Sequence, residues 1–162
     1  MNLHSTGNQI IHIGYPKTAT TWFQNEYFPG VKYYKLVPRQ FIKKHIIQPT
    51  PFNFSPTKVC QLIEEEFGNQ VILSEELLLG SIRSGGFNFV HTVNMANRLK
   101  DVFPHATIVL FIRSQTEIIS SDYGQYIKDG GKDSIKQYLE PGSTQPMIKL
   151  RSFNWDFLNY DL

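Results

Sequence analysis

Apolar residues concentrate in four short runs along the chain, and the longer segments between them carry apolar residues at helical spacing. The runs lie at 10–13, 31–36, 71–73 and 107–112. Short continuous apolar runs are typical of buried strands, and strands that alternate with helices favour a parallel sheet with crossover helices. We therefore predict an α/β fold with three layers, in which helices flank a central parallel sheet of about four to five strands.

The segments between the runs begin and end with helix signals. Ser55 and Pro56 have the order of an N-cap and a first-turn proline. Pro104 ends a second helix, and the spacing of Ser114 and Glu117 matches a capping box that opens a third. The apolar faces expected for the first two helices are Val59, Leu62, Ile63 and Phe67, and Val93, Ala96, Leu99 and Phe103.

The composition fits one ordinary globular domain over residues 1–162. Hydrophobic residues make up 41% of the 162 positions and charged residues 19%, and a chain of this length buries a core without disulfides or metals. The net charge of +2 is too small to indicate a nucleic-acid partner. Cys60 is the only cysteine, which excludes an internal disulfide and a cysteine-based zinc site. The five histidines show no paired metal spacing, so we expect no metal.

The N-terminal sequence bears on localisation. It lacks the basic and apolar segments and the cleavage site of a secretion signal, and no apolar run reaches membrane-spanning length. We therefore expect a cytoplasmic protein without a membrane span.

The first apolar run leads directly into a turn rich in lysine and threonine, followed by helical spacing up to Gln24. The first backbone N–H groups of a helix lack intrahelical partners and the aligned peptide dipoles leave partial positive charge there, so an anion binds readily. Lys17 adds a full positive charge. Hydroxyl donors follow at Thr18, Thr20 and Thr21. The turn is therefore predicted to bind phosphate or sulfate.

Other chemistry-bearing side chains follow the third and fourth predicted strands. Glu75 and Glu76 come after the third, and Arg113 comes after the fourth, with Ser121 further along the next helix. Ligands of open parallel sheets bind beyond the carboxyl ends of the strands. We therefore expect two anion sites and a carboxylate along one edge of the sheet.

Two motifs, one after the first predicted strand and one after the fourth, resemble those of the sulfotransferase family that uses 3'-phosphoadenosine 5'-phosphosulfate (PAPS). The resemblance is strongest to bacterial members of that family. The segment GYPKTATTW at 14–22 resembles the family's 5'-phosphosulfate loop, and Phe111-Ile112-Arg113 followed by Ser121 resembles the motif that holds the 3'-phosphate. The resemblance covers roughly 10–128. It implies a P-loop NTPase-like fold and transfer of a sulfuryl group, without a metal, from PAPS to a hydroxyl or amine of a small-molecule, carbohydrate or lipid acceptor.

The resemblance also implies roles for single residues. Arg113 and Ser121 would hold the 3'-phosphate, and Lys17 would stabilise the departing phosphate. The catalytic base of relatives follows the third strand, where the glutamate version resembles the sequence here, and we favour Glu76 over Glu75 as that base. The residues that match the cofactor loop are Pro16, Lys17, Thr18, Ala19, Thr20, Thr21 and Trp22, of which the tryptophan would stack near adenine.

The chain departs from the family pattern at two points. Ala19 stands where the commonest pattern has glycine, and alanine permits the same close approach of the backbone if the local φ is negative. Nothing after Lys128 matches the later basic, glycine-containing loop that closes over the cofactor in relatives. We therefore expect a shortened member of the family or a fragment of one.

Each candidate residue also has a structural explanation. The lysine and threonines would then belong to an ordinary strand-to-helix turn. Glu75 and Glu76 would be helix-start acids favoured by the dipole, Trp22 and Phe23 would be buried aromatic residues, and His12 would be a structural histidine inside a strand.

Two other classes of function compete with sulfuryl transfer. In a nucleotide kinase or NTPase, Glu75 or Glu76 would supply the metal-binding acid. However, Gly14 is followed by Pro16 and Lys17 without the second glycine of that phosphate loop. A non-catalytic nucleotide-binding relative is the second alternative, indicated by Ala19 and the short C-terminal part.

Overall fold

A computed structural model of the chain describes residues 9–14, 17–79 and 88–139. Its strands are β1 (Gln9–Gly14), β2 (Lys35–Leu36), β3 (Val71–Ser74) and β4 (Thr107–Phe111). They form one sheet in the order β2-β3-β1-β4, and every neighbouring pair is parallel. The parallel sheet with intervening helices confirms the predicted α/β class.

The core of the sheet lies over β1 and β3. Ile11 pairs with Leu73 on one side and with Ile108 on the other, and paired residues of a parallel sheet point to the same face. Ile11 and Leu73 are fully buried, whereas Ile108 is half exposed. Among the described strands β4 is therefore an edge with one partly uncovered face.

The helices alternate with the strands. They are α1 (Thr20–Trp22), α2 (Arg39–Ile42), α3 (Pro56–Phe67), α4 (Asn88–Val102), α5 (Gln115–Lys128) and α6 (Ile135–Leu139). Helix α1 continues into a π-helical turn (Phe23–Tyr27) and a 3₁₀ turn (Phe28–Gly30), and α2 continues into a π-helical turn (Lys43–Ile47). A further 3₁₀ turn (Glu76–Leu78) follows β3. In the described parts of the chain, no helix combines the length and apolar character needed to cross a membrane.

Helix α3 begins where the sequence predicts. Ser55 is its N-cap and accepts a hydrogen bond from the backbone N–H of Lys58 at 3.4 Å, and Pro56 is its first residue. Val59 and Ile63 are buried on the predicted face. These observations confirm the predicted start and buried face of this helix.

The predicted face of α4 was wrong in part. Leu99 and Phe103 are buried as predicted, but Val93 and Ala96 are exposed, and Met95 and Val102 are buried instead. Both sets have helical spacing, so periodicity alone does not choose between them. The side that packs against α3 and the turn after α2 decides which set is buried.

The strand predicted at 31–36 was also wrong over most of its length, because only Lys35–Leu36 pairs in the sheet. Tyr33 has a φ of 69°, a left-handed conformation that interrupts an extended strand. Val37 then donates its backbone N–H to the Ile72 carbonyl at 2.9 Å. β2 is therefore a short edge strand that leads directly into α2.

Candidate functional site

The turn after β1 has an alternating backbone conformation. Lys17 has a φ of 69° and Ala19 a φ of 60°, whereas Thr18 is not among the positive-φ residues. Backbone N–H groups in such an alternation converge on one side and form an anion-binding concavity. The positive φ of Ala19 does not meet the condition under which alanine replaces glycine without strain. This turn therefore stores about 1–2 kcal/mol of strain at Ala19.

Gly14 and Thr20 fix how the turn folds back onto the end of β1. A Cβ built on Gly14 would overlap Thr20 Oγ1 and would lie 3.2 Å from Thr18 Oγ1. Glycine is therefore required by the close approach of the first residue of α1. Thr20 is 2% exposed, and its Oγ1 has no hydrogen-bond partner among the described residues. A buried hydroxyl without a partner costs roughly 1–3 kcal/mol, so it favours a polar ligand beside the turn.

The remaining loop candidates differ in their surroundings. No carboxylate among the described residues pairs with the ammonium group of Lys17, which is half-buried. Thr18 is buried and Thr21 is exposed. Trp22 is 53% exposed and stacks on Tyr27, with ring centroids 6.2 Å apart. It is therefore an accessible ring and not a buried aromatic residue. Pro16 lies outside the described residues.

The residue predicted for the second anion site contacts the first. Arg113 Nη1 donates to the backbone carbonyl of Lys17 at 3.0 Å, across a separation of 96 residues. β1 and β4 are neighbours and Gly14 pairs with Phe111, so the two motifs leave the same edge of the sheet side by side. The structure thus brings the Lys17 turn and Arg113 together.

Arg113 also faces the start of α5. Its Nε donates to Glu117 Oε2 at 3.2 Å, and the Ser114 hydroxyl donates to the same oxygen at 3.0 Å. The hydrogen bonds from Ser114 and Arg113 hold the pKa of the Glu117 carboxyl below its ordinary value. Ser114 is the N-cap of α5, but its side chain bonds to Glu117 and not to a backbone N–H, so the reciprocal capping box does not form.

Ser121 lies one helical turn after Glu117, so it shares a face of α5 with the glutamate that Arg113 contacts. It is half-buried. The neighbouring Ser120 instead donates to the Thr116 carbonyl at 2.8 Å within the helix. Of these two serines, Ser121 is therefore the one suited to act with Arg113 on a shared anion.

Glu75 is a fully buried carboxylate whose oxygens accept hydrogen bonds from two other residues and lie near a third cationic or polar group. Arg39 Nε and Nη2 donate to its two oxygens at 2.8 and 3.0 Å, and Lys43 Nζ lies 3.9 Å away. Glu75 also caps the turn at Glu76–Leu78 by accepting from the backbone N–H of Leu77 at 3.3 Å. The hydrogen bonds that Arg39 donates to Glu75 raise the pKa of the Arg39 guanidinium. Glu75 thus has the structural role of a helix-start acid.

Glu76 has different surroundings from its neighbour. It is partly exposed at the first position of the 3₁₀ turn, and within the described residues its carboxylate has no hydrogen bond or ion pair. The turn contacts β1, which carries the anion-binding loop. Of the two glutamates, Glu76 is therefore the one whose carboxylate is available to a ligand.

A buried polar network beneath the loop was not predicted from the sequence. His12 Nδ1 lies 2.8 Å from Ser74 Oγ, and Gln24 Nε2 donates to the Ser74 carbonyl at 3.0 Å and to Ser74 Oγ at 3.2 Å. Burial lowers the pKa of His12, whose ring lies among three phenylalanine rings. Residues from β1, β3 and the helix after the loop are joined in this way. The network therefore fixes the loop relative to Glu75 and Glu76.

Within the described ranges, no group of three or more histidine, cysteine or acidic side chains is placed to hold a metal ion. Cys60 is half-buried, and burial raises the pKa of its thiol, which disfavours the thiolate needed for a nucleophile. Comparison of the chain with models of known protein families, with curated proteins and with solved structures finds no match.

Proposed function

We propose that this chain is a PAPS-dependent sulfotransferase domain of P-loop-like fold. In this proposal the turn at 17–20 binds the 5'-phosphosulfate of the cofactor. Arg113 and Ser121 bind its 3'-phosphate, and Glu76 is the general base. The observation that carries the proposal is the contact between Arg113 and the Lys17 carbonyl, because it places two cationic side chains on one rim at the ends of neighbouring strands.

The chemistry assigns one task to each group. The acceptor oxygen attacks sulfur, an oxygen–sulfur bond forms, and the bond between sulfur and the bridging phosphate oxygen breaks. Glu76 takes the proton from the acceptor hydroxyl, and 3'-phosphoadenosine 5'-phosphate departs. Lys17 and the N–H groups of the turn stabilise the negative charge that develops on the bridging and 5'-phosphate oxygens.

Four features of the site support this assignment. The Lys17 ammonium has no paired carboxylate among the described residues, and the hydroxyl of Thr20 is buried without a partner. The backbone around Lys17 and Ala19 has the alternation of an anion-binding concavity. Glu76 is available, while Glu75 is occupied by Arg39. These groups would supply a base and an electrostatic stabiliser, and the acceptor hydroxyl would supply the nucleophile.

Nucleotide binding tests the proposal first. Calorimetric titration with 3'-phosphoadenosine 5'-phosphate is expected to show binding at least 10-fold tighter than with adenosine 5'-phosphate, because a charge-assisted contact to the 3'-phosphate contributes about 1.5–3 kcal/mol. Tighter binding of Mg-ATP than of the bisphosphate would instead favour a kinase or NTPase.

Transfer is tested next, with PAPS and a panel of hydroxyl and amine acceptors. Glu76→Gln is expected to bind 3'-phosphoadenosine 5'-phosphate as the parent protein does, and to lose sulfuryl transfer. Thr116→Val on the exposed side of α5 is the control for nonspecific loss. Binding without transfer to any acceptor would identify a non-catalytic relative, and full activity of Glu76→Gln would remove Glu76 from the role of base.

A further inference from the structure

A polar cavity lies beside α2, and residues 17–20 of the turn are not among its lining residues. It has a volume of about 780 Å³ and is lined by Arg39, Lys43, Lys44, His45, Gln48 and Glu66, among others. A neighbouring cavity of about 340 Å³ shares Lys44, His45 and Gln48 and adds Lys58. We call the two together the α2 groove. Their volumes are in the range of sites that bind small organic ligands.

Positive charge dominates the α2 groove. Arg39 and Lys43 are directed towards the buried Glu75, but their side chains remain 45% and 38% exposed. No described carboxylate forms an ion pair with Lys44 or Lys58. Glu66 is the one carboxylate among the lining residues. An anionic ligand would therefore meet more cations than carboxylates in this groove.

The pKa of His45 is affected by the same excess of positive charge. Burial lowers its pKa, nearby Lys44 and Lys58 lower it further, and Glu66 raises it. The imidazole is therefore neutral at pH 7 and offers one donor and one acceptor. The amide of Gln48 supplies both kinds of group as well. Neutral donors and acceptors among cations suit a ligand that carries hydroxyl groups beside its negative charge.

The lining of the larger cavity disfavours a strongly apolar ligand. Phe41 is the only apolar side chain in the wall of the larger cavity, and it is itself buried against the core. Apolar lining residues of the smaller cavity are Pro49, Val59 and Leu62. A steroid or an acyl chain needs an apolar wall to leave water. The wall of the larger cavity therefore favours a hydrated, hydroxyl-rich anion over a lipid.

We propose that the α2 groove binds an acidic saccharide, with Arg39, Lys43, Lys44 and Lys58 facing its carboxylates or sulfates and with His45 and Gln48 facing its hydroxyls. Arg39 and Lys43 link the groove to the proposed active site, because both contact the buried Glu75, which directly precedes Glu76. If the proposed function holds, an acidic saccharide bound in this groove would also be the acceptor of the sulfuryl group. The acceptor role rests on the proposed function, whereas binding of the saccharide to the groove does not.

Binding is measured by NMR titration of the full chain with an alginate tetrasaccharide as the acidic probe and maltotetraose as the neutral one. The alginate is expected to shift backbone resonances of 39–48 and to bind at least 10-fold more tightly than the neutral sugar, because its carboxylates meet several cations. Equal affinity for the two sugars, or shifts located elsewhere, would overturn the proposal.

Matched charge reversals locate the site. Lys44→Glu combined with Lys58→Glu is expected to weaken alginate binding at least 10-fold. Lys100→Glu combined with Lys128→Glu makes the same change in net charge on exposed residues of α4 and α5 and is expected to change it less than 2-fold. If both double variants weakened alginate binding equally, the alginate would be responding to the net charge of the protein only, and the proposed binding site would be overturned.

Two further probes test the chemical class. Single-stranded DNA or phosphatidylglycerol vesicles that displace the alginate from the groove at lower concentration would overturn the saccharide assignment. Binding of 3'-phosphoadenosine 5'-phosphate is measured on the same variants and is expected to be unchanged. Alginate binding in a protein that does not bind the nucleotide would refute the proposed sulfotransferase alone, and the reverse result would refute the groove alone.

Discussion

The turn after β1 and the segment after β3 begin at the same edge of the sheet, but they differ in whether their polar side chains have hydrogen-bond or ion-pair partners. In the turn, the Lys17 ammonium has no paired carboxylate among the described residues and Thr20 Oγ1 has no partner. After β3, the Glu75 carboxylate accepts from Arg39 and from the Leu77 backbone. A polar group with satisfied partners stabilises the fold, whereas one held in place without partners is free to bind a ligand. This contrast distinguishes candidate function from structure here.

The largest effect is expected from Lys17→Ala, which removes the unpaired cation of the turn. If this cation stabilises the departing phosphate, sulfuryl transfer from PAPS should fall about 100- to 1000-fold, as when a single preorganised donor is lost from an active site. The measurement is single-turnover transfer. Lys128→Ala, at the exposed end of α5, is the matched control. A rate within 3-fold of the parent would contradict a ligand role for the turn.

Arg39→Ala should act on stability, because it leaves the buried Glu75 without its main partner. We expect the free energy of unfolding to fall by about 2 kcal/mol, less than for a fully buried pair because Arg39 is partly exposed and Lys43 remains nearby. Urea denaturation measures the change. Lys43→Ala, at 3.9 Å from the carboxylate, should cost less than 1 kcal/mol. A larger effect for Lys43 than for Arg39 would reverse the assigned roles.

Arg113→Ala distinguishes a pure phosphate ligand from a residue that also holds the turn. Because Arg113 donates to the Lys17 carbonyl, its loss should weaken binding of adenosine 5'-phosphate by about 10-fold. Binding of the 3',5'-bisphosphate should fall further, by about 100-fold, because the contact with the 3'-phosphate is lost as well. Ser121→Ala is the matched control and should weaken only the bisphosphate. Unchanged affinity of Arg113→Ala for adenosine 5'-phosphate would show that the contact does not position the turn.

Acidification should weaken the network that joins the two regions. Burial lowers the pKa of His12, so the unfolded chain binds a proton that the folded chain does not. Stability from this group is complete above the unfolded pKa of about 6.5 and falls below it, by at most about 1.4 kcal/mol per pH unit.

His45 shifts in the same direction and needs its own control. Urea denaturation between pH 7.5 and 5.5 is therefore compared in the parent, His12→Gln and His45→Asn. The His12 variant should lose most of the dependence. An unchanged slope in His12→Gln would show that the neutral imidazole does not stabilise the network.

The smallest effect is expected from Ala19→Gly. Glycine removes about 1–2 kcal/mol of left-handed strain, while the unfolded chain gains freedom that offsets much of this. The net gain in the free energy of unfolding should be about 0.5 kcal/mol. Ala96→Gly, at an exposed position inside α4, should instead lose about 1 kcal/mol. Destabilisation by both substitutions would contradict a strained turn.

Local patterns predicted the parts of the fold that local physics determines. The three longer strands and the start of α3 depend on apolar runs and on a cap and proline next to each other in sequence, and they are confirmed. The strand at 31–36 and the face of α4 depend on which neighbours cover them. They were wrong because a turn at Tyr33 and packing against α3 override the pattern.

The candidate site likewise has a part that the sequence predicted and a part that it did not. The sequence placed Lys17, Glu75, Glu76 and Arg113 at strand ends, and the structure puts all of these on one edge. The sequence did not reveal the ion pair between Arg39 and Glu75 or the hydrogen bonds that connect His12, Ser74 and Gln24. The partners in these interactions lie 36 to 62 residues apart in the chain. A buried polar residue inside each apolar strand, His12 and Ser74, was the available signal for the network.

The overlap between position 14 and the hydroxyl of Thr20 makes two sites in the chain mutually dependent. A side chain at position 14 has room only if the residue at position 20 is smaller. Gly14→Ala should therefore be deleterious alone and partly rescued by Thr20→Gly. In a library of random variants, replacements at these two positions should survive together more often than separately, and related chains that diverge here should have exchanged both residues.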